Sequence, residues 1–213
     1  MRLRNIPGAE EALRQYPVFV EDPTAYRGRW QERFGNDHPL HLEIGCGKGR
    51  FITTLAEQHP EINFIALEVK AEVIYRTAQR TEKRPIPNLA LVQYNATLLP
   101  DLFAEQELDR IYLNFSDPWP KRRHHKRRLT YAGFLRMYKQ VLKPHGEIHL
   151  KTDNEKLFEY SLNQFSEERF QLRHITFDLH QSPFAEQNVM TEYEERFASR
   201  GQRIYRTEAV YLP

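Results

Sequence analysis

The stretch Leu40-His41-Leu42-Glu43-Ile44-Gly45-Cys46-Gly47-Lys48-Gly49 carries an alternating apolar segment straight into three alternate glycines. Leu40, Leu42 and Ile44 alternate with His41 and Glu43, which is the period of a β-strand. Beyond the glycines, Phe51, Ile52, Leu55 and Ala56 fall on one face at helical spacing, and Pro60 closes the segment. A strand that turns through glycines into a helix is how nucleotide-binding α/β sheets begin. Glycine permits the tight turn and lets backbone come close to a ligand. Glu68, near the end of a second strand spanning Ile62 to Val69, stands where a carboxylate accepts hydrogen bonds from a ribose. Taken alone, the same residues also fit turn glycines beside a solvated carboxylate, with Cys46 as a small residue that suits the turn.

The pattern repeats along the chain. A helix is expected from Ala71 to Glu82, a loop at Pro85 and Pro87, and strands at Leu89 to Tyr94 and Leu108 to Asn114. Phe134, Met137, Tyr138 and Val141 give another helix face, Gly146 to Lys151 a fifth strand, and Leu157, Phe158, Ser161, Leu162 and Phe165 a further helix. Phe170 to Leu179 and Arg203 to Leu212 read as a terminal antiparallel strand pair. Repeated right-handed β-α-β units build an open, mostly parallel sheet with helices on both faces, so the expected fold is doubly wound, α/β and Rossmann-like. Residues 39–213 form that domain. Residues 1–38 stand apart, with Arg2, Arg4, Arg14, Arg27, Arg29 and Arg33 interspersed among prolines and aromatics. They read as a basic arm or lid, with a poorly ordered terminus as the alternative for its first dozen residues.

The 213 residues, 40% hydrophobic, suffice for one ample core. With 31 basic and 29 acidic side chains the chain is not uniformly cationic, which argues against a histone-like binder. No secretory signal or membrane-spanning run is present in the sequence, so a cytoplasmic protein is expected. A single cysteine excludes an intrachain disulfide and leaves no thiolate cluster for a structural zinc.

Against this mixed background, Ser116-Asp117-Pro118-Trp119-Pro120-Lys121-Arg122-Arg123-His124-His125-Lys126-Arg127-Arg128 is a local device: an acidic turn that runs into a basic block. Like charges so close repel one another unless a polyanion shares them, and the obvious polyanion is a nucleic acid. The glycine turn narrows the small ligand. Dinucleotide enzymes favour G-x-G-x-x-G and a pyrophosphate at the helix N-terminus, whereas this turn is G-x-G-x-G preceded by Glu43. A carboxylate there disfavours a second anion and suits the cationic amino-acid end of S-adenosylmethionine. Asn95, after the third strand, is placed to bond an adenine edge, although alone it also fits a turn residue.

With these residues in hand, the chain resembles the bacterial tRNA (guanine-N7-)-methyltransferases from Glu43 to about Tyr205. The E-x-G-x-G-x-G turn is shared by many methyltransferases. The run D-P-W-P-K-x-R-H-x-K-R-R at Asp117 to Arg128, Lys151-Thr152-Asp153, and Thr191-Glu192-Tyr193-Glu194-Glu195-Arg196-Phe197 are specific to that family. The resemblance implies a class I S-adenosylmethionine-dependent methyltransferase fold and methylation of guanosine N7 in the tRNA variable loop. It places Glu43, Gly45, Gly47, Gly49, Glu68, Asn95 and Asp117 around the cofactor, with Asp117 also catalytic. Lys121, Asp153, Thr191, Glu192, Tyr193 and Glu194 would contact the substrate, and Arg123, His124, His125, Lys126, Arg127 and Arg128 would face RNA. No metal or membrane is implied, and monomer and homodimer both remain open.

Bland readings stand beside these. Thr191 and Glu194 satisfy a T-x-x-E capping box. Asp117 also fits a turn residue before Pro118 that caps a helix or neutralises Lys121, Trp119 either stacks on a base or packs the turn, and Lys151 and Lys156 read as surface charges. His124 and His125 lack metal partners at recognisable spacing. Competing functions are a noncatalytic structured-RNA-binding protein with a relic cofactor site and a methyltransferase acting on another RNA position. An amine methyltransferase often carries D-P-P-Y or N-P-P-Y where this chain has Trp119, and a dinucleotide-dependent oxidoreductase fits neither the glycine spacing nor the basic block.

Overall fold

The computed structural model describes residues 6–82 and 84–213. Elements follow in the order α1 (Ala9–Leu13), α2 (Trp30–Phe34), β1 (Leu40–Ile44), α3 (Arg50–Gln58), β2 (Asn63–Glu68), α4 (Ala71–Thr81), β3 (Leu89–Gln93), α5 (Leu99–Leu102), β4 (Leu108–Asn114), α6 (Ala132–Val141), β5 (Leu142–Thr152), α7 (Glu155–Glu167), β6 (Phe170–Thr176), α8 (Glu192–Ala198) and β7 (Tyr205–Tyr211). The seven strands form one sheet in the order β3-β2-β1-β4-β5-β7-β6. The first five are parallel, and β7 enters antiparallel between β5 and β6.

Strand alternation sorts the side chains into two layers. Leu42, Ile44, Ile111, Leu113, Ile148 and Leu150 pack with Phe103, Tyr138, Phe158 and Phe165 on one face. Phe64, Ala66, Leu89 and Leu91 pack with Phe51, Ile52, Ile74 and Ala78 of α3 and α4 on the other. Each large apolar side chain fully buried in these layers contributes about 1.5–3 kcal/mol. On the second face β4, β5 and β7 present a polar row instead, with Arg110, Tyr112, Glu147, His149, Arg206 and Glu208 lining an open cavity of about 670 Å³.

The described part of residues 1–38 belongs to this body. Leu13 and Trp30 are buried, α1 packs on α4, and Val18 and Val20 exchange backbone hydrogen bonds with Leu91. Trp30 Nε1 donates to the Leu102 carbonyl at 3.0 Å. The apolar residues of the segment therefore extend the cores of both faces, and no packing boundary falls near residue 38. Arg2 and Arg4 lie outside the described residues. The fifth strand starts earlier than its expected Gly146: Leu142 pairs with Leu108, a register shift follows, and Glu147 resumes pairing opposite Arg110. His145, at φ 66°, and Gly146 accommodate the irregularity.

Candidate active site

The parallel strands all end at one edge of the sheet, where open α/β sheets bind ligands beside the reversal of strand order. At the end of β1 the chain turns at Gly45, Gly47 and Gly49, with φ of 77°, 59° and 79°. A left-handed backbone explains the spacing at the first two. At Gly49 a Cβ would also lie 2.2 Å from Thr77 Cγ2, so close packing of the turn against α4 requires glycine there. Thr77 Oγ1 donates to the Gly47 carbonyl, and Arg80 Nε donates to that of Lys48 at 2.7 Å.

Glu43 lies beneath this turn and is 1% exposed. Its Oε1 accepts from Asn114 Nδ2 at 2.9 Å, and its Oε2 has no partner among the described residues. Burial pushes its carboxyl up to about 7, against the opposing pull of the Asn114 hydrogen bond and the Lys151 charge. Glu68, at the end of β2, is half-buried and accepts from the backbone N–H groups of Val69 and Lys70, which fixes one carboxylate oxygen. Asn95 follows β3, is exposed, and caps a short 3-10 turn through its Oδ1, which accepts from Thr97 N and Oγ1. That leaves its Nδ2 to donate elsewhere.

Asp117 follows β4 in a sharply bent loop, with Phe115 at φ 52° and Trp119 at φ 41°. It is exposed and has neither hydrogen bond nor ion pair among the described residues, so the expected alternative of neutralising Lys121 is not realised. The loop is braced from below. Against the expectation that Arg128 faces RNA, its Nε and a terminal nitrogen donate to the carbonyls of Pro118 and Trp119 at 2.9 and 3.2 Å, and its guanidinium lies 4.3 Å from the centre of the Tyr160 ring. Trp119 is half-buried, edge-on to His124 and covered by Arg127 at 4.9 Å, so it packs the turn. His125 Nδ1 donates to the Arg122 carbonyl. Lys121, Arg122, Arg123, Lys126 and Arg127 are exposed along the 3-10 turn Arg122–Arg127 and its cap.

Asp153 follows β5. Its Oδ2 accepts from Tyr193 Oη at 3.1 Å and Gln202 Nε2 at 3.0 Å, which ties α8 and the following loop to the same edge. Tyr193 packs 5.1 Å from Phe115, and partial desolvation together with the Asp153 charge and hydrogen bond raises its phenol to about 12. Thr191 caps α8 by accepting from Glu194 N at 2.9 Å. The reciprocal half of the capping box is absent, because Glu194 is fully buried and turned inward. Its Oε2 receives Lys151 Nζ at 2.7 Å and its Oε1 receives Asn188 Nδ2 at 2.6 Å. Both oxygens are engaged within the protein, so Glu194 helps to hold α8 in place. Lys151, read from sequence as a surface charge, is 5% exposed and also donates to Asn188 Oδ1 and the Val189 carbonyl. Burial lowers its ammonium below the ordinary lysine value, while the Glu194 charge pulls it back up. The sequence signal for this pair was the alternation Glu147, His149, Lys151, which puts Lys151 on the sheet face away from the main core. Above it, α8 reaches over the glycine turn through ion pairs from Glu195 to Arg50 and from Glu192 to Arg80.

A buried unpaired carboxylate oxygen, two further acidic side chains and an amide donor thus converge on one edge, beside an exposed aspartate and a cationic turn. A family model described as "Putative methyltransferase" matches residues 37–207. A tRNA (guanine-N(7)-)-methyltransferase of Brevibacillus brevis is 71% identical over 98% of both chains. One of Enterococcus faecalis is 54% identical over all of this chain and 99% of its own.

The chain belongs to the tRNA (guanine-N7-)-methyltransferase family.

Solved structures agree on the fold of the family: the 16S rRNA methyltransferase KamB superposes with TM-score 0.66 at 15% identity, covering 87% of this chain and 94% of its own. The 16S rRNA (adenine(1408)-N(1))-methyltransferase of Catenulisporales acidiphilia gives 0.65 at 16% identity, over 91% and 95%. The sheet is therefore that of a class I methyltransferase. Within this family member, the one group of side chains with metal-compatible spacing among the described residues is Glu147, His149 and Glu208. Arg110 pairs with Glu147 at 2.7 Å and Arg206 with Glu208, which accounts for the cluster as an ion-pair network. Among the described residues no helix is long and apolar enough to cross a membrane.

Proposed function

We propose that this protein transfers a methyl group from S-adenosylmethionine to N7 of a guanosine in tRNA, with the tRNA variable loop as the site implied by the family resemblance. The observation that carries the reading is the placement of buried Glu43, with its unpartnered oxygen, and the Asp117 loop at one sheet edge. A buried carboxylate oxygen without a partner costs about 1–3 kcal/mol until a donor reaches it, and the ammonium of a bound aminoacyl group is such a donor. The pocket residues fit this cofactor: Glu43 and the backbone of Gly45, Gly47 and Gly49 would hold its amino-acid end, Glu68 the ribose hydroxyls, and Asn95 Nδ2 an acceptor on the adenine edge. When bound, S-adenosylmethionine supplies an electrophilic methyl on a cationic sulfur.

Guanine N7 presents an in-plane lone pair and no proton, so the chain needs no general base. Its task is positioning, which supplies most of the rate. Asp117 would present its negative charge beside the base, positioned by its bent loop, where it stabilises positive charge developing on the guanine ring. Asp153, with one oxygen held by Tyr193 and Gln202, has the other available to accept from the guanine N1 and N2 donors, a pattern adenine cannot match. Lys121 and the exposed Arg123, Lys126 and Arg127 would bind phosphates, with His124 and His125 ordering the turn that presents them. The test is methyl transfer to unmodified tRNA from S-adenosylmethionine carrying a labelled methyl group, followed by borohydride and aniline cleavage at 7-methylguanosine. Label found only in another methylated nucleoside would refute the reading in favour of a different RNA position, and absence of cofactor binding by calorimetry would favour a noncatalytic RNA binder.

A further inference from the structure

We propose that Arg196, Arg200 and Arg203 form a second RNA-binding wall, which faces the Arg122–Arg127 turn across the mouth that holds Asp117 and Asp153. This inference rests on the proposed tRNA substrate and names where that RNA is gripped beyond the basic block.

Topology puts these residues on the same edge as the site. Because β7 is antiparallel, it begins where the parallel strands end, and Tyr205 pairs with Thr152 at the last position of β5. The loop from α8 into β7 therefore lies on the ligand edge, and Gln202 within it bonds Asp153. The two basic groups approach that edge from opposite faces of the sheet. Arg128, at the end of the basic turn, rests on Tyr160 of α7, and Thr130 bonds Ser161 of the same helix. On the other face, α8 is held through Glu194 by Lys151, whose ammonium lies 4.9 Å from the centre of the Phe51 ring of α3.

The charges of α8 divide in the same way. Its acidic residues Glu192 and Glu195 turn toward Arg80 and Arg50 and are spent on closing the helix over the glycine turn. Arg196 and Arg200 are exposed, and neither has a carboxylate within ion-pair distance among the described residues. Among the described residues the one carboxylate near Arg203 is that of Asp178, at 4.0 Å and at an exposed position. Arg196 and Arg200 both lean on Phe197, with guanidinium carbons 5.9 and 5.8 Å from its ring centre, so an aromatic prop orders two otherwise free cations. Arg196 and Arg200, gathered on one ring, repel one another, and a polyanion relieves that repulsion. An RNA strand that delivers a base between the two walls meets one with the phosphates on each side.

The test uses the full chain with Arg196, Arg200 and Arg203 all changed to alanine, and the same three changed to lysine. The alanine variant should bind unmodified tRNA with a slope of log K against log salt reduced by about 2 to 3, since each lost phosphate contact removes roughly 0.7–0.9 units. Its KM for tRNA should rise, while kcat at saturating tRNA and the affinity for S-adenosylmethionine stay near wild type. The lysine variant should keep most of the salt slope. An unchanged slope and KM in an alanine variant that still binds cofactor overturns the proposal, as does a lysine variant impaired as much as the alanine one. Displacement of polyglutamate but not tRNA by these substitutions would assign the wall to an acidic protein. Wild-type protein that binds tRNA but transfers no methyl group would count against the proposed function and leave the binding comparison intact.

Discussion

At the scale of single residues, Glu43 and Asp117 show how burial separates two carboxylates by role. Glu43 has an ordinary value of 4.5 and is pushed up to about 7 in the folded chain, chiefly by burial. A carboxyl whose folded value is raised costs nothing below about pH 4.5, and the cost grows as pH rises to about 7 and stays constant above. Glu43→Gln should therefore stabilise the cofactor-free protein above pH 7, by on the order of 3 kcal/mol, and leave it unchanged near pH 4. Thermal melts of both proteins across that range check this. The same substitution should weaken S-adenosylmethionine binding, which calorimetry would read. Asp117 is exposed and preorganised only through its loop. Asp117→Ala should lower kcat by about 10²–10³, the scale of a lost electrostatic contact to the transition state, with a much smaller effect on cofactor affinity. Unchanged single-turnover rates would remove Asp117 from the chemistry.

At the scale of elements, the Lys151–Glu194 pair decides where α8 lies. Strand β5 supplies the lysine and the helix supplies the glutamate; both are buried, Asn188 and Val189 occupy further hydrogen-bond positions, and His180 Nε2 lies 3.2 Å from Glu194 Oε1. Removing one partner of a buried pair leaves the other charge uncompensated, which costs about 3–5 kcal/mol. Lys151→Met should destabilise by that amount in denaturant titrations. The double variant Lys151→Met/Glu194→Leu should recover a large part, because no unpaired charge is then left behind. Equal losses in the single and double variants would show that the pair contributes through shape alone. The capping motif at Thr191 was legible because its hydroxyl needs only a backbone N–H three residues on. The destination of the Glu194 carboxylate was not, since its partner comes from a strand 43 positions earlier.

At the scale of the whole molecule, the basic block divides into cations that face outward and one that does not. Arg123, Lys126 and Arg127 are exposed, whereas Arg128 holds the Pro118 and Trp119 carbonyls. Changing the first three to alanine should flatten the salt dependence of tRNA binding by about 2 to 3 units of slope. Arg128→Ala should instead lower kcat by loosening the Asp117 turn, with a smaller change in slope, and filter binding together with initial rates distinguishes the two outcomes. Strand alternation, helix spacing and the glycine turn were enough to read the parallel sheet and the Glu43–Gly49 pocket, because these are local patterns that chain geometry converts directly into faces and edges. The sequence alone also determined that acidic and basic residues meet at the end of β4, since they are neighbours in one loop. Which charges would be buried was settled by tertiary structure: Lys151 and Glu194 are partners because the fold lays α8 against the end of β5. Likewise the segment before β1 joins the core because Trp30 and Leu13 find surfaces made by distant helices. Periodicity assigns a side chain to a face, but its partner depends on which elements the fold brings over that face.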